Sequence, residues 1–469
     1  MDKIVFDKSN FIGKQTKMIE KDYKILEILG QGAFSVVYKA QHKVTKQLRC
    51  IKKIEMSNFS KSQEENIMNE IEVLRKIDHP NIMKIFEYYE KHGHLYIVTE
   101  YLAGGELFDR IEKEESFSER DAALYMKQIL KAVAYLHSNK IVHRDIKPEN
   151  IVFENEKDDS HLKLIDFGTS REVLLNKKMN TRMGTAYYIA PEVLKKCYDV
   201  KCDIWSCGVI LYTFLCGYPP FNGSSEMKII GRIVKGEFKF PKEEWGTIST
   251  NAKNIIKQML TYSPAKRPSA EELLKDPWFH NRKQSTFTTT TKLAVVKNLK
   301  NFKAQTKLQQ AILLYFVNFF DIAKEKTILM DAFEAIDKNF DGKLSKKELQ
   351  DVYSQVYGEE MAKMYVNHIF KRCDFNDSNS LDFSEFLVAN IDYRKTLNNK
   401  NLEKLFSIVD KDGSGKISFN ELKEFLNMKG NKNDKILFEM IKEVDKNEDG
   451  AISYDEFVEM MDSFYEKMK

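Results

Sequence analysis

The sequence has little that would carry it into or across a membrane. The first ten residues, MDKIVFDKSN, lack the apolar core of a signal peptide, and no glycine for N-myristoylation follows the initiator Met. The longest apolar run, Ala311 to Val317, is far shorter than the roughly 20 residues of a membrane-spanning helix. We therefore expect a soluble protein of the cytoplasm, with entry into the nucleus left open.

The chain also has few cysteines and a small net charge. The six cysteines form no CxxC pair and no zinc spacing, so we interpret them as small buried hydrophobic residues rather than as a metal or disulfide cluster. With 74 basic and 70 acidic residues, the chain lacks the bulk positive charge of a nucleic-acid-binding protein. Its length of 469 residues, of which 42% are hydrophobic and 31% charged, predicts two or three globular domains.

Three stretches of the chain differ in composition and in the pattern of their apolar residues. Residues 23–280 mix strand and helix patterns and follow an extension, residues 1–22. Residues 281–327 begin with the polar tract RKQSTFTTTTK and continue as a lysine-rich helical pattern. Residues 328–469 are helical and contain four similar twelve-residue segments, whose spacing of 35 to 37 residues indicates an internal repeat.

The first stretch contains a glycine-rich loop, Gly30 to Ser35. Glycine lets backbone amides approach phosphate oxygens, although this motif is weak alone and Ser35 replaces its third glycine. Downstream, Lys52 on a strand-like segment can neutralise phosphate charge, and Glu70 on the next helix can hold that lysine in place. Glu72 is the alternative partner of the lysine.

Two further motifs identify the chemistry. The segment His143-Arg144-Asp145-Ile146-Lys147-Pro148-Glu149-Asn150 is followed by Asp166-Phe167-Gly168, and together they resemble the catalytic loop and DFG segment of eukaryotic protein kinases. Gly184 to Glu192, Asp203-Ile204-Trp205 and Arg267 match later positions of that family in the correct order. The resemblance implies a bilobal fold, with a small β-rich lobe, a larger helical lobe and ATP in the cleft.

The resemblance also implies roles for individual residues. Catalysis of phosphoryl transfer is mostly positioning and electrostatics, so Asp145 would accept or orient the substrate hydroxyl proton. Lys147 would steer phosphate as in serine/threonine kinases, while Asn150 and Asp166 would hold Mg²⁺ with hard oxygen ligands. The implied catalytic residues are Lys52, Glu70, Asp145, Lys147, Asn150 and Asp166. The implied ATP-binding residues are Leu29, Gly30, Gly32, Ser35, Val37, Lys52, Glu100, Leu102 and Glu106.

Other kinase positions follow from the same resemblance. The family register favours Glu70 over Glu72, and an ion pair between Arg267 and Glu192 is expected. Thr99 takes the gatekeeper place before the hinge, Glu100 to Leu102.

Substrate preference and activation-segment phosphorylation are also implied. Glu106 and Glu149 match positions that contact basic residues upstream of the phosphoacceptor, so we expect a preference for Arg or Lys before Ser/Thr. Thr181 lies where an activating phosphate could pair with Arg144, and many relatives lack a phosphorylatable residue there. The resemblance therefore does not decide whether Thr181 is phosphorylated.

The repeats of the last stretch have the pattern of EF-hand calcium loops. Calcium prefers six to eight oxygens, which such a loop supplies from positions 1, 3, 5, 7, 9 and a bidentate Glu at 12, with Gly at position 6. The second loop has Asn379 instead of that glycine; Asn tolerates positive φ, so we expect this site to bind calcium at equal or lower affinity. The predicted ligands are Asp337, Asn339, Asp341, Lys343 (carbonyl), Ser345 and Glu348; Asp374, Asn376, Ser378, Ser380 (carbonyl), Asp382 and Glu385; Asp410, Asp412, Ser414, Lys416 (carbonyl), Ser418 and Glu421; and Asp445, Asn447, Asp449, Ala451 (carbonyl), Ser453 and Glu456.

Two apolar positions accompany each loop. Position 8 is aliphatic and suits a short strand that joins paired loops, so four hands imply two pairs. The residue four before each loop is aromatic or aliphatic. The two sets are Leu344, Leu381, Ile417 and Ile452, and Phe333, Phe370, Phe406 and Ile441.

A kinase followed by four EF-hands is similar to the calcium-dependent protein kinases of plants and protists, over nearly the whole chain. In that family an autoinhibitory junction lies between the modules, here residues 281–327. This segment predicts a basic amphipathic helix of the kind that calmodulin-type grooves bind, with a solvated surface helix as the alternative. Its lysines are Lys292, Lys297, Lys300, Lys303 and Lys307, and its apolar positions are Leu293, Val296, Leu299 and Phe302.

The expected protein is therefore an α+β chain, a bilobal protein-kinase fold followed by an all-α calmodulin-like domain of four EF-hands. It would use ATP, Mg²⁺ and Ca²⁺ to phosphorylate protein substrates. We hypothesise that the junction blocks the kinase without calcium and that calcium-loaded EF-hands recapture it. A calcium-binding scaffold with an inactive kinase fold, and a kinase that needs separate calmodulin, are the alternatives. The first would need a missing catalytic residue, and the second is disfavoured because the chain supplies its own EF-hands.

Overall fold

The fold is taken from a computed structural model of the chain. The structure describes residues 5–15, 17–32, 34–57, 59–157, 160–167, 171–172, 186–195, 198–279, 289–304, 306–428, 430 and 433–467. Gly168, Thr181, Gly184, Thr185 and Cys197 lie outside the described residues.

Strands form the small lobe and short ladders elsewhere. They are β1 (Lys14–Gln15), β2 (Tyr23–Gln31), β3 (Ser35–His42), β4 (Leu48–Glu55), β5 (Ile85–Lys91), β6 (His94–Glu100), β7 (Ile141–Val142), β8 (Ile151–Phe153), β9 (Leu162–Leu164), β10 (Arg171–Glu172), β11 (Leu344–Ser345), β12 (Ser380–Leu381), β13 (Lys416–Ile417) and β14 (Ile452–Ser453). The main sheet has the order β1-β5-β6-β4-β3-β2, antiparallel except where β1 pairs with β5.

Helices form the larger lobe and the C-terminal half. They are α1 (Lys61–Lys76), α2 (Leu107–Glu114), α3 (Glu119–Ser138), α4 (Pro191–Leu194), α5 (Lys201–Cys216), α6 (Glu226–Lys235), α7 (Lys242–Trp245), α8 (Thr250–Met259), α9 (Ala270–Leu274), α10 (Thr289–Asn301), α11 (Lys307–Phe319), α12 (Ala323–Ile336), α13 (Lys346–Tyr357), α14 (Glu359–Cys373), α15 (Phe383–Asn390), α16 (Tyr393–Thr396), α17 (Asn399–Val409), α18 (Phe419–Phe425), α19 (Asp434–Lys442) and α20 (Tyr454–Lys467). Short 3-10 helices occur at Lys8–Phe11, Ile19–Lys21, Pro148–Asn150, Ala186–Tyr188, Pro264–Lys266 and Pro277–Phe279.

Local sequence explains the start and orientation of α1. Ser60 and Gln63 form a reciprocal capping box, which satisfies amides that the first turn would otherwise leave unpaired. Ile71 and Leu74 are buried, and the helix packs against β5. Glu70, next to Ile71, is therefore carried into the interior of the lobe.

The larger lobe is built around α3 and α5. Ser118 caps α3 by accepting a hydrogen bond from the backbone of Asp121. Helix α5 is apolar on nearly all sides, and such a helix is buried on all sides. Its Trp205 is fully buried and stacks on Phe221, with ring centroids 5.3 Å apart.

The C-terminal half has helix–loop–helix units that pair through their loops. Leu344 pairs with Leu381 between β11 and β12, and Ile417 pairs with Ile452 between β13 and β14. The predicted pairing through position 8 is confirmed. The apolar residues predicted four before each loop are all buried: Phe333, Phe370, Phe406 and Ile441.

The segment between the two halves forms two helices instead of the single lysine-rich helix that its pattern predicts. Thr306 and Gln309 form a capping box that starts α11 after α10 has ended at Asn301. Helix α10 packs against α12, α13, α14 and α15, so it lies on the EF-hand region. Helix α12 begins at Ala323, inside the predicted junction.

The buried face of α10 differs from the predicted face at one position. Val296, Leu299 and Phe302 are buried as predicted, but Leu293 is 47% exposed and Val295 is buried instead. The predicted place of Leu293 on the apolar face is therefore wrong, because α10 is rotated so that Val295, and not Leu293, is buried beside Val296.

The EF-hand region packs on the kinase lobes. The Ser384 amide donates to Asp78 Oδ2 (2.8 Å), and Ser138 Oγ donates to the carbonyl of Asp341 (3.4 Å). Loop residues of the first two EF-hands are therefore in contact with the α1–β5 connection and with the end of α3. No helix among the described residues is long and apolar enough to cross a membrane.

Candidate active site and calcium loops

The glycine-rich loop joins β2 and β3 beside the strand that carries Lys52. Gly30 pairs with Val37 across β2 and β3, and Val37 pairs with Lys52 across β3 and β4. The Gly32 amide donates to the Ser35 carbonyl (2.8 Å), so the serine closes the turn through its backbone. A Cβ added at Gly30 would meet nothing within 4 Å, which leaves open space beside the backbone where a phosphate would lie.

Two more residues of the implied ATP site lie on β2 of this hairpin and after β6. Leu29 is 45% exposed, at the point where the β2–β3 register shifts, and Leu102 is half-buried after the end of β6. Thr99 is buried and pairs with Cys50 on β4.

Glu70 and Glu72 lie in different environments. Glu70 is 6% exposed; burial raises its pKa, while the charge of Lys52 lowers it and that of Asp166 raises it. The Phe167 amide also donates to Glu70. Glu72 lies at the surface and pairs with Arg75 (2.6 Å).

The catalytic-loop carboxylate is held by two neighbours. Asn150 Nδ2 donates to the Asp145 carbonyl (2.8 Å) and to Asp145 Oδ2 (3.1 Å), and Lys147 Nζ lies 3.0 Å from the same oxygen. Three of the predicted catalytic residues are therefore in direct contact. A carboxylate fixed in this way can accept a proton from a hydroxyl placed beside it.

The DFG aspartate is positioned by strained backbone and a buried aromatic contact. Asp166 has φ of 61°, in the left-handed region that costs energy for a residue with a Cβ. Phe167 is fully buried against His143, with ring centroids 4.9 Å apart. Burial lowers the pKa of His143, which fits the predicted packing role of this histidine rather than a proton carrier.

Asp203 fixes the backbone of the catalytic loop. Its carboxylate accepts from the amides of His143 (3.0 Å) and Arg144 (2.9 Å), and His137 Nε2 lies 2.9 Å away. Burial raises the pKa of Asp203, but these hydrogen bonds, first of all that of His137, hold it below its usual range. The sequence pattern indicated this position without indicating its role.

The predicted ion pair between Arg267 and Glu192 is confirmed. The guanidinium binds both carboxylate oxygens, at 2.6 and 3.1 Å, and both side chains are almost fully buried. Arg267 also donates to the carbonyls of Thr261 and Lys201 (3.0 and 2.7 Å). The pair ties the end of the activation segment to the helical lobe.

The Glu100 side chain is held by two lysines of the neighbouring segments. Its Oε1 accepts from the Lys84 amide (2.7 Å) and lies 3.1 Å from Lys163 Nζ. Lys84 Nζ in turn donates to Asn318 Oδ1 on α11 (2.9 Å). Sequence reasoning missed Lys84 and Lys163, because an isolated lysine gives no signal of burial.

Glu106, Asp109 and Glu149 form an acidic cluster at the N-terminus of α2. Burial raises the pKa of Glu106, and the negative charges of Asp109 and Glu149 raise it further. Glu149 Oε2 is buried and, among the described residues, has no hydrogen-bond partner. The cluster therefore favours a cation beside the catalytic loop.

The calcium loops share one backbone geometry. Position 6 has positive φ in all four, including Asn379 (58°), where Asn was predicted to replace glycine. The amide of that residue donates to the position-1 aspartate in each loop: Gly342 to Asp337 (3.0 Å), Asn379 to Asp374 (2.9 Å), Gly415 to Asp410 (2.9 Å) and Gly450 to Asp445 (2.8 Å). This arrangement turns the carboxylates inward.

The carboxylates fit a divalent cation. In the third loop, carboxylate oxygens of Asp410, Asp412 and Glu421 all lie within 4.8 Å of one another. In the first loop, burial and the charge of Asp341 raise the pKa of Asp337 to about 7. Crowded oxygen donors of this kind suit Ca²⁺.

The chain matches known families over most of its length. Residues 23–279 match the protein kinase domain, and residues 326–389 and 399–462 match the EF-hand domain pair. The chain is similar to Calcium-dependent protein kinase 4 of Plasmodium falciparum, with 39% identity over 436 residues, 89% of this chain and 82% of the relative. Calcium-dependent protein kinase 3 of Plasmodium berghei is 38% identical over 441 residues, 92% of this chain and 77% of the relative.

These similarities cover both halves of the molecule and the segment between them. A kinase domain uses ATP and Mg²⁺, and EF-hands bind Ca²⁺. The chain belongs to the calcium-dependent protein kinases and is a calcium-activated serine/threonine protein kinase that carries its own EF-hand sensor.

Proposed function

We propose that Asp145 is the catalytic base of this kinase and that Lys147 steers the transferred phosphate. The observation that carries the proposal is the contact of the Asp145 carboxylate with both Asn150 and Lys147. Lys52, oriented by Glu70, binds the phosphates of ATP, and Asn150 and Asp166 provide the oxygen ligands for Mg²⁺. Mg²⁺, when bound, neutralises charge on the phosphate oxygens.

The remaining implied ATP contacts are part of the same proposal. The loop backbone covers the phosphates, and the adenine lies between the small lobe and the hinge. The residues are Leu29, Gly30, Gly32, Ser35, Val37, Glu100, Leu102 and Glu106.

The preferred substrates carry basic residues upstream of the phosphoacceptor. Glu106 and Glu149 repel each other, and an arginine between them would relieve that repulsion with charge-assisted hydrogen bonds. The test compares Glu106→Gln with Glu112→Gln, an exposed control on the same helix. We expect only Glu106→Gln to raise KM for an Arg-containing peptide relative to a peptide without it. Equal KM values for both peptides in the unmodified protein would contradict the preference.

Calcium releases an autoinhibited state in which the junction segment blocks the kinase. The support is that α10 buries Val295, Val296 and Leu299 against EF-hand helices, so the sensor can hold the segment away from the cleft. Calcium, when bound, provides the differential affinity that shifts the segment between the two positions. The proposed division is an extension (1–22), a kinase domain (23–280), a junction (281–327) and a sensor (328–469), with the last boundary falling inside α12.

One assay tests the enzyme and the switch together. Phosphorylation of an Arg-containing serine peptide by the purified chain with Mg-ATP is measured in EGTA and in micromolar free calcium. We expect strong stimulation by calcium and no requirement for added calmodulin. Equal activity in both conditions would discard the autoinhibition, and the Asp145→Asn variant is the inactive control.

The protein acts in the cytoplasm. The five cysteines among the described residues are free thiols, which is typical of a reducing compartment. Fractionation of cells with an antibody against this chain is the test, and recovery in a secreted or luminal fraction would contradict the proposal.

A further inference from the structure

The second calcium loop differs from the other three at position 2. In those three loops this residue is a lysine, and each lysine pairs with an acidic residue of the helix that follows. The pairs are Lys338 with Asp351 (2.9 Å), Lys411 with Glu424 (2.5 Å) and Lys446 with Glu459. The second loop instead has Phe375, which is 3% exposed. A buried aromatic in place of a solvated ion pair indicates a surface that is covered.

Two segments cover Phe375. The centroid of its ring lies 6.2 Å from that of Phe302, the residue that follows α10. Its carbonyl accepts a hydrogen bond from the backbone amide of Phe6 (3.1 Å), and Phe6 itself is fully buried. Position 2 provides no calcium ligand in an EF-hand loop, so this contact and a bound cation are compatible.

The segment that begins near Phe6, residues 5–15, continues across the sensor. Lys8 is 7% exposed; burial lowers its pKa, while the charges of Asp78 and then Asp382 raise it. Phe11 packs against Tyr315 of α11, with ring centroids 5.4 Å apart. It also packs against Phe425 of α18, at 5.3 Å.

The same segment is attached to the small lobe. Arg75 Nη2, on α1, donates to the Ser9 carbonyl (3.2 Å). Strand β1 adds a parallel edge to β5, and Lys14 pairs with Glu90 (2.5 Å). Helix α1 is the helix that carries Glu70, so one short segment contacts both a calcium loop and the element that orients the ATP-binding lysine.

We propose that residues 5–15 form a strap that links calcium binding at the second EF-hand to the position of α1, and that they thereby set the calcium sensitivity of the kinase. The inference rests on the proposed function of the sensor. Ordering of the second loop by calcium fixes the carbonyl of Phe375, which favours the docked strap. By linkage, the docked strap raises the affinity of that loop for calcium by the same factor.

The test uses the full chain with Phe6→Ala, and Val5→Ala as a matched control, because Val5 is adjacent but 43% exposed. The free-calcium midpoint of kinase activation is measured for each. We expect Phe6→Ala to raise the midpoint by at least about fivefold, the lower end of typical coupling between sites, and Val5→Ala to leave it unchanged. A deletion of residues 1–12 should raise the midpoint by at least the same factor as Phe6→Ala.

Two backgrounds make the result specific to the second loop. In Glu385→Gln, which removes the position-12 ligand of that loop, Phe6→Ala should cause no further shift. In Glu456→Gln, which removes the equivalent ligand of the fourth loop, the full shift should persist. The proposal would be overturned if Phe6→Ala shifted the calcium midpoint equally in both backgrounds. It would also be overturned if Phe6→Ala lowered that midpoint.

A direct calcium titration by calorimetry on the same chains separates this inference from the proposed function. If the unmodified kinase proved insensitive to calcium, the proposed switch would fail, while a calcium affinity lowered by Phe6→Ala would still support the strap. Unchanged affinity and midpoint would refute it. Thermal unfolding in EGTA checks that each variant is folded, and Phe6→Leu replaces Phe6→Ala if that variant is not.

Discussion

Gly342, at position 6 of the first calcium loop, lies against the kinase domain. Its φ is 72°, and an added Cβ would lie 2.4 Å from Cδ2 of Tyr135 and 3.1 Å from Cδ2 of His79. Gly450 occupies the same position in the fourth loop with φ of 84°, but an added Cβ there meets nothing within 4 Å. The two glycines therefore separate the backbone strain of an EF-hand loop from the contact with the kinase domain.

Both Gly342→Ala and Gly450→Ala place an alanine in the left-handed region, at about 1–2 kcal/mol each. Only Gly342→Ala adds a methyl group against Tyr135, which is 3% exposed and accepts a hydrogen bond from the Asp78 amide (2.8 Å). Because the ring is fixed, the loop has to move away. Overpacking of this kind costs about 1–3 kcal/mol. We expect the docked arrangement to weaken by about 5- to 150-fold beyond the effect of the control.

The assay measures the calcium midpoint of peptide phosphorylation for the full chain and both variants. Each variant weakens calcium binding at its own loop, so both midpoints should rise. The midpoint of Gly342→Ala should exceed that of Gly450→Ala by at least about fivefold, because only this variant disturbs docking. Equal midpoints, with both proteins folded in thermal unfolding, would refute the contact between the first loop and Tyr135 as a determinant of activation.

Three further predictions concern the kinase domain. Asp145→Asn should abolish phosphorylation while calcium titrations remain unchanged; residual activity above about 1% of normal would contradict its role as base. Arg267→Ala should destabilise the kinase domain by about 3–5 kcal/mol, because it leaves the Glu192 carboxylate buried without its partner, and denaturant unfolding should show much less loss when Glu192→Gln is combined with it. Burial and the charges of Asp109 and Glu149 raise the pKa of Glu106, so its charge is lost at a higher pH than that of an ordinary glutamate as pH falls. KM for an Arg-containing peptide should then rise, while KM for a neutral peptide stays constant.

Much of the active site could be predicted because its chemistry requires particular residue types at particular spacings. Asp145, Lys147 and Asn150 lie within one short segment, and the structure brings all three into contact. The loop pairs of the sensor were predictable for the same reason, since position 8 has to pair across two loops.

The contacts between the modules could not be predicted in this way. Lys84 meets Asn318 of the junction, and Phe375 meets Phe302 and Phe6, from segments distant in sequence, so no local pattern records these contacts. The rotation of α10, which exposes Leu293 and buries Val295, also depends on the helices it meets. A helical pattern predicts an apolar face but does not decide which edge of that face is covered.

Lys84 is a buried lysine whose amide donates to Glu100 of the hinge, and its contacts affect how a truncated kinase should behave. Asn318 Oδ1 accepts from Lys84 Nζ (2.9 Å) and from Ser384 Oγ (2.8 Å), and Lys84 is 6% exposed. Burial lowers the pKa of Lys84 to about 8, although Asp78 opposes this. A chain cut after residue 280 loses the junction, and it also loses Asn318, the hydrogen-bond acceptor of Lys84 Nζ. Its activity therefore reports both changes together, whereas Asn318→Ala in the full chain removes the contact and leaves the junction in place. If α11 of the junction supports the small lobe through this contact, Asn318→Ala lowers activity at saturating calcium without raising activity in EGTA.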